Sequence, residues 1–183
     1  MQQIFFYPDF SQSRFLSTNF QSSIKLLESK IKNPEKGLPY DFFLFISRMT
    51  PLINVDLLIK DKRGRTLLAW RDDKFGNKGW HIPGGIVRYK EKLEHRIQEV
   101  AKNEIGVKVK YEKVPIAYNE IILKQKTRGH SISFLFRCKV PENFVPLNKG
   151  IKPFHSGYLK WHNKCPKKLI KVHEIYRKFI NER

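Results

Sequence analysis

Acidic residues are scarce in this chain: 17 Asp and Glu stand against 36 Lys and Arg, for a formal charge of +19. Such a balance favours polyanionic partners, meaning nucleotides, nucleic acids or anionic surfaces, and says nothing about fold. Cysteine is almost absent. Cys138 and Cys165 stand alone, without metal-ligand spacing or a disulfide framework, which fits a reducing, cytoplasmic setting. Long apolar runs are missing too: the longest, "FFLFI" at 42–46, is far too short to cross a bilayer. Residues 1–15 carry neither the basic nor the apolar region of an export signal. Neither G-x-x-x-x-G-K nor G-x-G-x-x-G occurs, which excludes the phosphate-loop and dinucleotide-fold classes.

What is present suffices for one ordinary domain with a core. The chain has 183 residues, and 40% are apolar. Residues 1–50 read as an N-terminal helical extension, with helical patterns at "SSIKLLESKIK" and "YDFFLFISRM" around the turn-prone "NPEKGLP". From residue 51 to 183 the texture is that of a main domain. "LINVDLLI" and "TLLAWR" read as a β-hairpin about "DKRGR", "DDKFGNKG" as a loop, and "WHIP" as a strand end. The spacing predicts a helix over about 91–104, then strands in "VKVKYEKVPIAYNEIILK", "SISFLFRCKV" and "GYLKW". "KKLIKVHEIYRKFINER" has the period of a basic amphipathic helix. Strands with a few helices and no repeated βαβ unit imply an α/β domain, a mixed β-sheet flanked by helices.

One residue in the predicted helix breaks its pattern. At roughly 100° per residue, Leu93, Ile97, Val100, Ala101 and Glu104 share one face, so a carboxylate sits in the apolar phase. A buried ionised carboxylate costs several kcal/mol (about) unless paired or bound to a cation. A structural arginine would satisfy it; so would a metal. Gly84-Gly85, just before the helix, lets backbone groups approach a ligand closely.

The stretch resembles a Nudix box, Gly-x5-Glu-x7-Arg-Glu-U-x-Glu-Glu-x-Gly-U, with U a bulky aliphatic. Gly85, Glu91, Glu104, Gly106 and Val107 match, with Ala101 at the inner U position. Glu99, Val100 and Asn103 replace the box arginine and two of its acids. The GDP-mannose mannosyl hydrolases also keep only the last acid. Similarity to them runs over about 45–165, from "TPLINVDLLIKDKRGRTLLAWR" through "GWHIPGGIVRYKEKLE" to "EIGVKVK", and loosely again at "FLFRCKV" and "HSGYLKW".

That resemblance implies an α/β/α sandwich and Mg²⁺-dependent hydrolysis (Mn²⁺ as an alternative ion) of a nucleoside diphosphate sugar to nucleoside diphosphate and free sugar. It implies metal ligation by the Gly84 carbonyl and Glu104, with a third ligand near His155. Gly85, Glu91 and Gly106 take structural roles in the box. Arg71 is expected on the diphosphate, or else in a salt bridge with Asp72 or Asp73. Asp56 is expected at the substrate, or else as an edge-strand polar residue. His155 is expected as general base, as the third ligand, or as a plain loop histidine. Ile86 and Ser131 stand where the subfamily has an Arg and a Tyr near the substrate; Arg88 is expected to compensate in part, or to be a solvated charge. A homodimer is implied as well. The alternatives are attack at phosphorus, as in most Nudix pyrophosphatases, and a nucleotide- or RNA-binding module without turnover.

Overall fold

A computed structural model describes residues 18–73 and 78–182. The extension forms helix α1 (Thr18–Ser29) and helix α2 (Tyr40–Ile46), linked by a single 3-10 turn at Pro34–Lys36 that Asn33 caps. Among the described residues the main body has eight strands: β1 (Leu52–Ile59), β2 (Thr66–Asp72), β3 (Lys78–His81), β4 (Gly84–Ile86), β5 (Lys110–Tyr111), β6 (Ala117–Ile122), β7 (His130–Lys139) and β8 (Leu159–His162). Helix α3 (Leu93–Val100) follows β4, and helix α4 (Arg177–Asn181) ends the described chain. The expected α/β fold, a mixed sheet flanked by helices with a helical extension before it, is the fold observed.

The expected hairpin is not. Asp61 closes the turn by accepting from the Arg63 and Arg65 amides and pairing with the Arg65 guanidinium at 2.7 Å, and Lys60 bridges Thr66. Beyond that bridge the strands part into different sheets. β1 runs parallel to β7 and antiparallel to β4. β2 pairs antiparallel with β3 and β8. β5 and β6 both pair with β7, which completes the five-stranded sheet. Alternation predicts strands but not partners, and here burial decides: β1 and β2 are covered on both faces.

Two core clusters follow from the period of two. Val55, Leu57 and Ile59 pack with Ile97, Val100 and Ala101 of the α3 region. On the opposite face Leu58, with Leu68 and Trp70, packs with Leu135, Tyr176 and Ile180. Asp56 shares that second phase, beneath the C-terminal segment.

Two helices also differ from expectation. The α-helical part of the central helix stops at Val100, and Ala101–Ile105 form a π turn in which the Gly106 amide donates to the Ala101 carbonyl at 2.9 Å. Gly106 takes φ 85°, the left-handed conformation that ends the helix. The C-terminal pattern is a 3-10 stretch, Lys171–Tyr176, before α4. Its first residues are held extended, since Leu169 bridges Trp80 and the Ile170 amide donates to the Trp80 carbonyl.

Candidate active site

β4 lies against β1 with Asp56 opposite Gly84, Val55 opposite Gly85 and Asn54 opposite Ile86. A Cβ at Gly84 would overlap Asp56 Oδ1 and sit 2.8 Å from the Val55 carbonyl, so only glycine fits. A Cβ at Gly85 would meet Val100 Cγ2 at 2.7 Å. The two glycines therefore let α3 and the Asp56 carboxylate close on one turn.

Glu91 locks that turn to the helix. Its carboxylate accepts from the Arg88 amide, from Arg96 Nε at 2.7 Å and Nη2 at 2.9 Å, and pairs with His95 at 2.7 Å. Burial alone would raise its pKa; those hydrogen bonds outweigh burial and hold it below the ordinary value. Arg96 lies one helical turn before Glu99, where the box has arginine, so a cation on α3 still serves Glu91.

The π turn carries Asn103 and Glu104 to a cleft of about 460 Å³, also lined by Asp56, Arg71, His81, Gly84, Gly85 and Arg128 among others. Glu104 is thus not sunk in the core. A π turn holds more residues than an α turn, so the residues after Val100 rotate out of the α phase. The Glu104 side chain is 33% exposed, and its neighbour is His81, with Nε2 3.8 Å from Oε2, rather than an arginine.

Behind Glu104 lies a buried polar layer. Asp56 Oδ2 accepts from Ser133 Oγ at 2.5 Å and from the Tyr176 hydroxyl at 2.6 Å. Burial pushes the Asp56 carboxyl up to about 6; the two hydrogen bonds and His81 oppose that rise, and Glu104 adds to it. His173 Nδ1 accepts the Ile82 amide at 3.0 Å, which leaves any ring proton of the neutral imidazole on Nε2. Burial, with the charges of His81 and Arg71, keeps His173 well below its ordinary pKa. Three cleft-lining residues, Asn54, Trp70 and His81, have a buried polar atom, Oδ1, Nε1 and Nδ1 respectively, without a hydrogen-bond partner.

The structure brings Arg71, Asp56, Gly84, Gly85 and Glu104 into one cleft. Arg71 also makes one of its expected alternative contacts, Nε to Asp73 Oδ2 at 2.7 Å. Arg88 points elsewhere: it is exposed, outside the lining, and near Gly37 of the extension. His155 is exposed as well. Ser156 and Gly157 line the cleft, whereas the His155 ring lies outside the lining with Nδ1 3.2 Å from the Pro153 carbonyl. Part of "DDKFGNKG" (74–77) falls outside the described residues.

Ser133, Tyr176, His81, His173 and Arg128 escaped the sequence reading. "WHIP" holds His81 in plain view, but no spacing marks it. Tyr176 and His173 looked like parts of an amphipathic helix.

A resident cation held by protein alone does not fit. No group of three His, Cys, Asp or Glu side chains suited to a metal occurs among the described residues. Glu104 beside the glycine turn offers one accessible carboxylate, and Asn54 Oδ1 is an orphaned oxygen. That donor set fits a hard cation that takes most of its ligands from phosphate and water.

Comparison with known proteins agrees with this architecture. Residues 50–176 match the NUDIX domain model. The chain is 35% identical over 143 residues to the low-salt glycan biosynthesis protein Agl8 of Haloferax volcanii, covering 69% of this chain and 91% of that protein. The fold resembles the MutT NUDIX hydrolase from Burkholderia pseudomallei (TM-score 0.55, 20% identity, 70% of this chain and 97% of that one). It also resembles the MutT protein from Methanosarcina mazei Go1 (TM-score 0.55, 18% identity, 72% and 94%). The chain belongs to the Nudix family.

Proposed function

We propose that this Nudix protein hydrolyses a nucleoside diphosphate sugar at the anomeric carbon, releasing nucleoside diphosphate and free sugar. The observation that carries the reading is the economy of the cleft: a single accessible box carboxylate, Glu104, beside the Gly84-Gly85 turn, with Arg71 in the same lining. Attack at phosphorus in Nudix enzymes ordinarily recruits several carboxylates around several cations. A glycosyl transfer to water asks less, because the diphosphate leaves as a preformed anion. The name of the Haloferax relative, a glycan biosynthesis protein, supports a sugar-bearing substrate.

Arg71 supplies forked donors to the departing diphosphate. Asp56, held by Ser133 and Tyr176, fixes a polar floor for the substrate. His155 is the base in this reading. The Pro153 carbonyl can only accept, so a ring proton on Nδ1 leaves Nε2 free to take a proton from water. Loop 152–158 then has to bring the ring over the cleft. Held by Glu104, the Gly84 carbonyl and phosphate oxygens, a Mg²⁺ or Mn²⁺ ion would neutralise charge on the leaving diphosphate.

Glu104→Gln tests the reading. Metal-dependent turnover of nucleoside diphosphate sugars should fall by about a thousandfold or more, while the melting temperature stays near wild type because Glu104 is partly exposed. Full turnover in that variant would contradict the assignment.

A further inference from the structure

Arg128 has no counterpart in the motif that marks the family, yet it lines the cleft together with Arg71. It sits on a tight return between β6 and β7. The Leu123 amide donates to the Gly129 carbonyl at 2.7 Å, and Gln125 Nε2 donates to the Arg128 carbonyl at 3.1 Å. A Cβ at Gly129 would overlap the Gln125 carbonyl, so the return leaves no room for a side chain there. Arg128 itself has φ 55°, a left-handed conformation that a long side chain adopts rarely and that clusters at functional positions.

The N-terminal extension holds this residue in place. Ser47, at the end of α2, is buried; its Oγ accepts the Arg128 amide at 3.1 Å and donates to the Leu44 carbonyl at 2.8 Å. The Arg128 guanidinium lies 5.9 Å from the centroid of the Phe43 ring. Burial and the nearby Arg71 charge lower the Arg128 pKa, with Asp73 and Tyr40 acting in the other direction. Two guanidinium groups brought into one half-buried cleft repel each other; a multiply charged anion between them relieves that repulsion.

We propose that Arg128, docked by Ser47 and Phe43 of the N-terminal extension, forms with Arg71 a two-arginine clamp for the substrate's diphosphate. The extension is then part of the binding site, and α2 positions Arg128 without touching the ligand. This rests on the nucleotide-sugar reading for its ligand class, but it is tested by binding and not by turnover.

The probe is inorganic pyrophosphate, titrated calorimetrically into the full chain at fixed Mg²⁺ and two salt concentrations. Arg128→Ala should weaken binding about tenfold or more and flatten the salt dependence. Ser47→Ala should weaken it several-fold. Arg137→Ala removes the same charge beside Glu112 and Glu182, outside the cleft lining, and should leave affinity near wild type. Arg128→Lys keeps the charge, guards against a folding defect, and should weaken binding by losing the fork. Equal losses in Arg128→Ala and Arg137→Ala would reduce the effect to general charge and overturn the clamp. Unchanged affinity in both Arg128 variants would also overturn it. Wild-type protein that ignores pyrophosphate would sink the clamp, whereas tight, Arg128-dependent binding without turnover of nucleoside diphosphate sugars would sink only the hydrolase reading.

Discussion

The Tyr176 hydroxyl donates a 2.6 Å hydrogen bond to Asp56 Oδ2, so the C-terminal 3-10 segment reaches the first strand of the main sheet at the floor of the cleft. Removing that donor leaves the buried carboxylate with Ser133 alone. Tyr176→Phe should cost about 1.5–3 kcal/mol at pH 8, where the carboxyl is ionised. The loss should shrink below pH 5, where the protonated carboxyl asks for less. Chemical denaturation at the two pH values checks this.

The pH dependence of stability carries two opposed contributions from this layer. The raised pKa of Asp56, about 6, means the native state binds its proton more tightly than the unfolded chain. Its contribution is therefore present below about pH 4 and lost as pH rises through 6, a loss of about 3 kcal/mol. Asp56→Asn should abolish that falling component.

His173 acts with the other sign. Its depressed pKa favours the neutral ring in the native state, so its contribution is present above about pH 6.5 and lost as pH falls. His173→Asn should flatten the rise of stability with pH that Asp56→Asn leaves exposed. Melting temperatures of both variants from pH 4 to 8 would separate the two; parallel profiles in the variants and wild type would refute the assignment.

The Glu91–Arg96 pair, both side chains under a tenth exposed, predicts a large asymmetric effect. Arg96→Ala leaves a buried carboxylate short of its main partner and should cost about 3–5 kcal/mol. Arg96→Ala combined with Glu91→Gln should recover part of that loss, because no uncompensated charge remains. A double variant less stable than the single one would argue against the pair as the lock between turn and helix.

Local chemistry was legible in the sequence. Gly84-Gly85, Glu91, Glu104 and Gly106 lie within one short stretch, and their spacing alone marks a turn, a helix and its end. Non-local choices were hidden. Nothing in "LINVDLLI" or "TLLAWR" says that the two strands separate into different sheets. The π turn at Ala101–Ile105 moves Glu104 from the core phase to the cleft wall, and apolar periodicity carries no mark of it. Asp56 was expected at the substrate or as an edge-strand polar residue, but its buried partners were hidden because Ser133 and Tyr176 lie 77 and 120 positions away. Arg128 lay hidden for the same reason, with Ser47 81 residues before it.

His155 is assigned as the base, and His81 is the histidine beside Glu104. His155→Gln should depress turnover at the pH optimum by about a hundredfold or more if the rim loop supplies the base. His81→Gln should act chiefly through Glu104, 3.8 Å away, and raise the Mg²⁺ concentration needed for half-maximal rate. The reverse pattern would transfer the base to His81.

The central claim is the bond that breaks. Incubation with a panel of nucleoside diphosphate sugars and Mg²⁺ in ¹⁸O-water, followed by NMR, reads it directly. Cleavage at the anomeric carbon predicts unlabelled nucleoside diphosphate and sugar carrying ¹⁸O. Nucleoside monophosphate with sugar phosphate, and the label on phosphorus, would contradict it.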